Sequence, residues 1–235
     1  MRSARRLSAG LLVAAIAAGL VALSPVTASG GQGKATTCFG KHATKVGTSG
    51  NDTLLGTSGR DVIVGLGGND HIRSKQGRDY VCAGPGDDVI HAAEGVNYMN
   101  GGPGNDWLDG RRGPGNVSIG DRGNDLIQAE GKIDAGPGKD TIESFGYLTP
   151  SSSPFPDVTD GGGGEDKITG GDNAETLKGG GKADQILAGD GNDNLSGGSG
   201  NDQLHGELGD DDINGGSGTD VCDQGPGTGA VTNCP

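Results

Sequence analysis

Aspartates recur through this chain at a spacing that sets them up as ligands for a hard metal ion. Counting from the first residue of each nine-residue window, the sixth is Asp52, Asp61, Asp70, Asp79, Asp88, Asp106, Asp125, Asp140, Asp166, Asp184, Asp193, Asp202, Asp211 or Asp220. No Cys-x-x-Cys and no His-Glu-x-x-His accompanies them, so thiolate and imidazole metal sites are not indicated. A set built from carboxylates suits Ca²⁺, which takes six to eight oxygen ligands. Any single Asp in a glycine-rich string reads equally well as an Asx turn without metal. Fourteen in one phase do not.

Sixteen nine-residue windows carry the phase: seven unbroken from Gly47 to Asp109, seven from Gly161 to Asp223, and two starting at Gly120 and Ala135. Two of the best copies read GGSGNDQLH (Gly197 to His205) and GLGGNDHIR (Gly65 to Arg73). Position four is Gly in fourteen windows, and position eight is aliphatic, Met or Cys in all sixteen. A period this short means a solenoid, in which each unit buries its apolar residue only by stacking on its neighbours. Glycine at one, two and four gives the positive φ and close backbone approach of a tight turn.

The pattern G-G-x-G-x-D-x-U-x resembles the hemolysin-type calcium-binding repeats of the RTX family, over about 175 of roughly 205 residues that follow the leader. The resemblance implies an all-β fold, a parallel β-roll. In it each nonapeptide supplies a six-residue turn and a three-residue strand, and two nonapeptides complete a coil. One turn offers too few oxygens for Ca²⁺, whereas two turns stacked at about 4.8 Å offer enough. Same-side turns then lie two repeats apart. Asp52, Asp70, Asp88 and Asp106 form one ladder, and Asp61 and Asp79 begin the opposite one, which weakens at Asn97. Asp166, Asp184, Asp202 and Asp220 form a ladder in the second block, faced by Asp193 and Asp211, with Glu175 departing from the pattern. Position eight points inward and seven and nine outward. The core is therefore Leu54, Ile63, Ile72, Val81 and Ile90, continued by Ile168, Leu177, Ile186, Leu195, Leu204 and Ile213.

Composition agrees with a thin stacked core. Gly supplies 51 of 235 residues and aromatics only 3%, too little for an ordinary globular interior. Residues 1–28 read as a secretory signal: Arg2, Arg5 and Arg6, an apolar run from Leu11 to Leu23, then Pro25 and a small-residue cleavage site. Its removal takes the net charge from −13 to −16 by deleting three arginines. Such a chain repels nucleic acid and anionic membranes, and no other stretch could span a bilayer. Export to the cell exterior is the expectation, with calcium ions as partners. Contact with cell wall or polysaccharide stays open.

Four cysteines in an exported chain suggest two disulfides. Cys38 and Cys82 bracket the start of the array and Cys222 and Cys234 its end, which suggests those pairs as caps at 29–46 and 224–235. Another pairing, or free thiols, is the competing reading. Between the roll segments 47–143 and 161–223, residues 144–160 fit no repeat and carry Phe145, Tyr147 and Phe155. They read as a linker or cover between two rolls that share an axis or bend, in preference to a protruding recognition loop. Two further irregularities are one extra residue in 110–119 and three missing in 129–134. Tyr80 and Tyr98, both at position seven, should stack on one outer face, with Trp107 on the other. Neither a Gly-x-Ser-x-Gly elbow nor a phosphate loop occurs, and nearly all of the chain after the leader is repeat. The expectation is a calcium-binding protein and no enzyme, with an adhesive or matrix spacer as the alternative.

Overall fold

The computed structural model describes residues 36–113, 115–145 and 157–235. The leader and residues 146–156 of the insert lie outside them. No helix occurs among the described residues. Short strands of two to six residues, most ended by glycine turns, alternate between a ten-stranded and an eleven-stranded sheet. Thr53–Leu55 lies in the first, Val62–Val64 in the second, and His71–Lys75 returns to the first. Two nonapeptides thus make one coil, and strands in each sheet pair in parallel, mostly 18 residues apart: Leu54 beside Ile72, Ile72 beside Ile90, and Ile63 beside Val81.

Position eight faces inward throughout. All eleven predicted core residues are buried in one cluster, joined by Met99, Leu108, Ile127, Ile133 and Ile142. The interior is two facing rows of aliphatic side chains, each worth about 1.5–3 kcal/mol when fully buried. Polar residues occupy the inward register in the irregular stretches. Ser118 pairs with Met99 and Ile133, and Thr159 pairs with Ile133 and Leu177. Both hydroxyls are buried without a hydrogen-bond partner. At the first coil Lys45 takes the place across from Ile63, and its Nζ donates to the Leu55 carbonyl.

The sheets do not break at the irregular residues. Trp107–Asp109, Leu126–Ala129, Thr141–Ser144 and Lys167–Thr169 pair in sequence in the ten-stranded sheet. Asn116–Ile119, Gly131–Asp134, Val158–Gly163 and Thr176–Gly181 do the same in the other. The described residues therefore form one continuous roll rather than two segments. Ser144 ends one strand and Val158–Gly163 is another, so both flanks of the expected insert belong to the roll. That strand was hidden because its inward residue, Thr159, is polar. Strands Lys45–Val46 and Val231–Thr232 likewise extend the sheets beyond 47–223.

The disulfides join Cys38 to Cys82 and Cys222 to Cys234. Only the second sits at an end: Cys222 occupies an inward position and packs with Cys234 against the core. The first corrects the expectation of a terminal cap. Cys82, at position nine, points outward, so the hairpin of Thr37–Cys38 and Lys41–His42 lies on the outer face of the eleven-stranded sheet. It buries Val62, Val64 and Tyr80 there, with Phe39 packed alongside. Tyr80 stacks on Tyr98 at 4.8 Å and 13°, as the spacing predicts. Trp107 lies on the other sheet, its Nε1 donating to Gln128 Oε1 at 3.3 Å.

Candidate metal centres

Each turn places its sixth residue just before a strand, where the carboxylate meets the backbone of the coil before it. Along the edge that feeds the ten-stranded sheet, the Asp52 N–H donates to Asp70 Oδ1 at 2.8 Å, and Asp70 to Asp88 at 2.6 Å. The chain of bonds continues through Asp106, Asp125, Asp140, Asp166, Asp184 and Asp202 to Asp220. The two ladders read separately from the sequence are one ladder of ten aspartates. Asp125 and Asp140 join its halves. Steps of 19, 15 and 26 residues in its middle absorb the extra residue, the deletion and the insert. All three irregularities therefore leave from the opposite edge.

One carboxylate oxygen is thus satisfied and the other is not. Oδ2 is buried with no hydrogen-bond partner in Asp70, Asp88, Asp106, Asp125, Asp140, Asp166, Asp184, Asp202 and Asp220 on this edge, and in Asp79, Asp193 and Asp211 on the other. An acceptor-only oxygen kept from water without a donor is costly. Its surroundings are oxygen as well. At Gly161, a Cβ would stand 2.8 Å from Asp166 Oδ2 and 2.7 Å from the Gly179 carbonyl of the next coil. Here the first-position glycine is required for space rather than for φ. Positive φ falls mainly at positions two and four, and even non-glycine residues adopt it there, among them Leu66, Glu207 and Lys182. Carboxylate and carbonyl oxygens converging on one small buried space match the donor set of a calcium ion.

Burial also drives several of these carboxyls above their ordinary range. Desolvation comes first, opposed by the donated backbone N–H, with neighbouring carboxylates adding to the rise. It takes Asp88, Asp125, Asp140, Asp166 and Asp193 to about 6, Asp184 to about 7 and Asp106 to about 8. A cation beside them would reverse the effect.

Residues 46–81, 83–117, 156–186, 169–204 and 187–222, together more than half of the chain, match the family model of the RTX calcium-binding nonapeptide repeat. The chain belongs to the RTX calcium-binding repeat family. No curated protein matches it significantly.

Not every RTX turn here is open. Asp52 and Asp61, which begin the two edges, have Oδ2 closed by a second-position threonine. Thr48 donates from N at 2.6 Å and from Oγ1 at 2.9 Å, and Thr57 repeats both bonds. Asn97 and Asn116 close their own turns. The Asn97 Nδ2 donates to the Ala93 and Gly95 carbonyls, and the Asn116 Nδ2 to those of Gly110 and Gly113. In Glu175 the longer side chain finds two donors, Gly171 N–H at 2.7 Å and Ser144 Oγ at 2.8 Å. Glu130 is buried on the same edge, and burial pushes it to about 7. Its turn is too short to match the repeat, which is why the sequence did not single it out.

A further ladder also escaped the sequence reading. The Oδ1 of Asn51, Asn69, Asp87, Asn105 and Asn124, all at position five, accepts the backbone N–H of the next coil. The signal was the recurrence of Asn or Asp before the conserved aspartate.

Proposed function

We propose that this is an exported calcium-binding β-roll whose carboxylate turns take Ca²⁺ and whose coils order when they do. Twelve buried Oδ2 atoms without a donor carry the reading. The residues that would hold the ions are the aspartates bearing those atoms, aided by carbonyls of adjacent turns. When bound, the ion supplies the positive charge that lets neighbouring buried carboxylates stay ionised. The narrow core and the glycine-rich chain make the folded state dependent on that contribution. Ligands that bind only the folded form stabilise it by mass action, about 2.7 kcal/mol per site at a hundred times Kd. The basic and apolar residues of the leader support export, where the ion is abundant. The roll works by binding rather than catalysis.

Calcium titration calorimetry on the secreted form, with far-ultraviolet circular dichroism before and after chelation, tests this. Multiple ions taken up, and loss of most β signal with EDTA, are expected. No uptake at millimolar Ca²⁺ would remove the functional reading.

A further inference from the structure

We propose that the turns of Asn97 and Asn116 take no ion, because their own side-chain amides fill the ion's place, and that they belong to a calcium-independent seed on which the ion-dependent coils are ordered. The inference rests on the calcium reading above and assigns different roles to turns that the repeat pattern treats alike.

In both asparagines Oδ1 does what it does in the aspartates. Asn97 accepts from Asp79 N–H at 3.1 Å and Asn116 accepts from Asn97 N–H at 2.8 Å. The remaining terminal atom is an NH₂ where the aspartates have Oδ2. It donates to Ala93 O and Gly95 O, each at 3.1 Å, in the first turn, and to Gly110 O and Gly113 O at 2.6 and 2.9 Å in the second. Two donors meet two turn carbonyls, so each turn is closed without a cation. Neither residue offers a carboxylate oxygen to its turn, and the one oxygen each has is already held by a backbone N–H.

The neighbouring coils hold further ion-free contacts. The Cys38–Cys82 bridge, the buried Val62, Val64 and Tyr80, and the Tyr80–Tyr98 stack involve Val62–Val64, Tyr80–Cys82 and Tyr98–Asn100, which pair in that order and lead to Asn116–Ile119 in one sheet. Thr57 closes Asp61 in the same region. Between Val62 and Ile119, Asp79 is the one position on this edge whose Oδ2 lacks a donor. The C-terminal coils are built differently. From Asp184 to Asp220, both edges carry unsatisfied aspartates, and no aromatic residue packs there. Beyond the aliphatic core and strand pairing shared by every coil, their ion-free support is the Cys222–Cys234 bridge at the tip.

Hydrogen exchange on the full secreted chain, with calcium and with chelator, separates the two regions. In chelator, amides of Val62–Val64, Tyr80–Cys82, Tyr98–Asn100 and Asn116–Ile119 should stay slow. Those of Asn194–Ser199 and Asp212–Ser217 should exchange about tenfold or more faster. Equal rates in the two regions would overturn the seed. Ion counting by native mass spectrometry tests the amide lock. The double variant Asn97→Asp/Asn116→Asp should take two more ions than the parent and lose its slow amides in chelator; an unchanged count overturns the lock. Should that variant fail to fold, Asp193→Asn serves in reverse. It should bind one ion fewer and gain chelator-resistant protection in Asn194–Ser199, and unchanged values would again overturn the lock. A parent chain that takes up no ion would instead refute the functional reading, and the exchange contrast would still decide the seed.

Discussion

Twelve aspartates in this roll, those with an unpartnered Oδ2, perform two separable tasks, and substitutions can divide them. One oxygen accepts a backbone N–H from the preceding coil; the other faces turn oxygens with no donor. Asp184 shows the pair clearly, with Asp166 N–H donating at 2.8 Å and Oδ2 unpartnered. Asp184→Ala removes both functions and strands the Asp166 N–H, at a cost of about 1–3 kcal/mol even without calcium. Asp184→Asn keeps the accepted bond and adds an NH₂ for the turn carbonyls, as at Asn97. Thermal melts in EDTA at pH 5, where protonated carboxyls favour the fold without calcium, should therefore place Asn close to the parent and Ala below it. Calcium titration should show both variants one ion short.

At the level of the strand, what matters is which residue takes the inward register. Ser118 and Thr159 hold that register with buried, unpartnered hydroxyls on either side of Ile133. Thr159→Val keeps the shape and removes the unsatisfied group, and should stabilise the protein by about 1–3 kcal/mol, read as a higher Tm at saturating calcium. These residues also mark where the sequence stopped being readable. Regular strands announced themselves through an aliphatic eighth residue, as in Ile72 or Leu195, and the aspartate phase gave the carboxylates. Val158–Gly163 did not, because a threonine stands where the pattern expects an aliphatic. The joining of the two ladders through Asp125 and Asp140 was equally concealed. It depends on spatial register, which a step of 26 residues does not reveal. The outward direction of Cys82 at position nine was legible, but the hairpin it meets there, which has no repeat of its own, was not.

For the whole molecule, closely stacked carboxylates make stability a function of both protons and calcium. Burial raises the folded-state values of Asp106 to about 8, Asp184 to about 7 and Asp88 to about 6, all above the ordinary 3.8. Without metal, the folded roll then binds more protons than the unfolded chain. Its stability is fullest at low pH and is lost as pH rises through 6 to 8. Melts in chelator should give a higher Tm at pH 5 than at pH 8. With calcium saturating, the order should invert, since protons then compete with the ion for the same oxygens. A pH-independent Tm in chelator would contradict this assignment of charge.

Lys45 bears on how the array ends. A parallel roll offers at its first coil the same unpaired strand edges that join its interior, an invitation for another copy to continue it. Here the inward register at that edge holds an ammonium group, turned across the opening onto the Leu55 carbonyl. A second molecule adding itself there would have to strip water from that charge while offering it no counter-ion, at a cost of several kcal/mol. That side chain therefore opposes the addition of another strand at this edge of the roll.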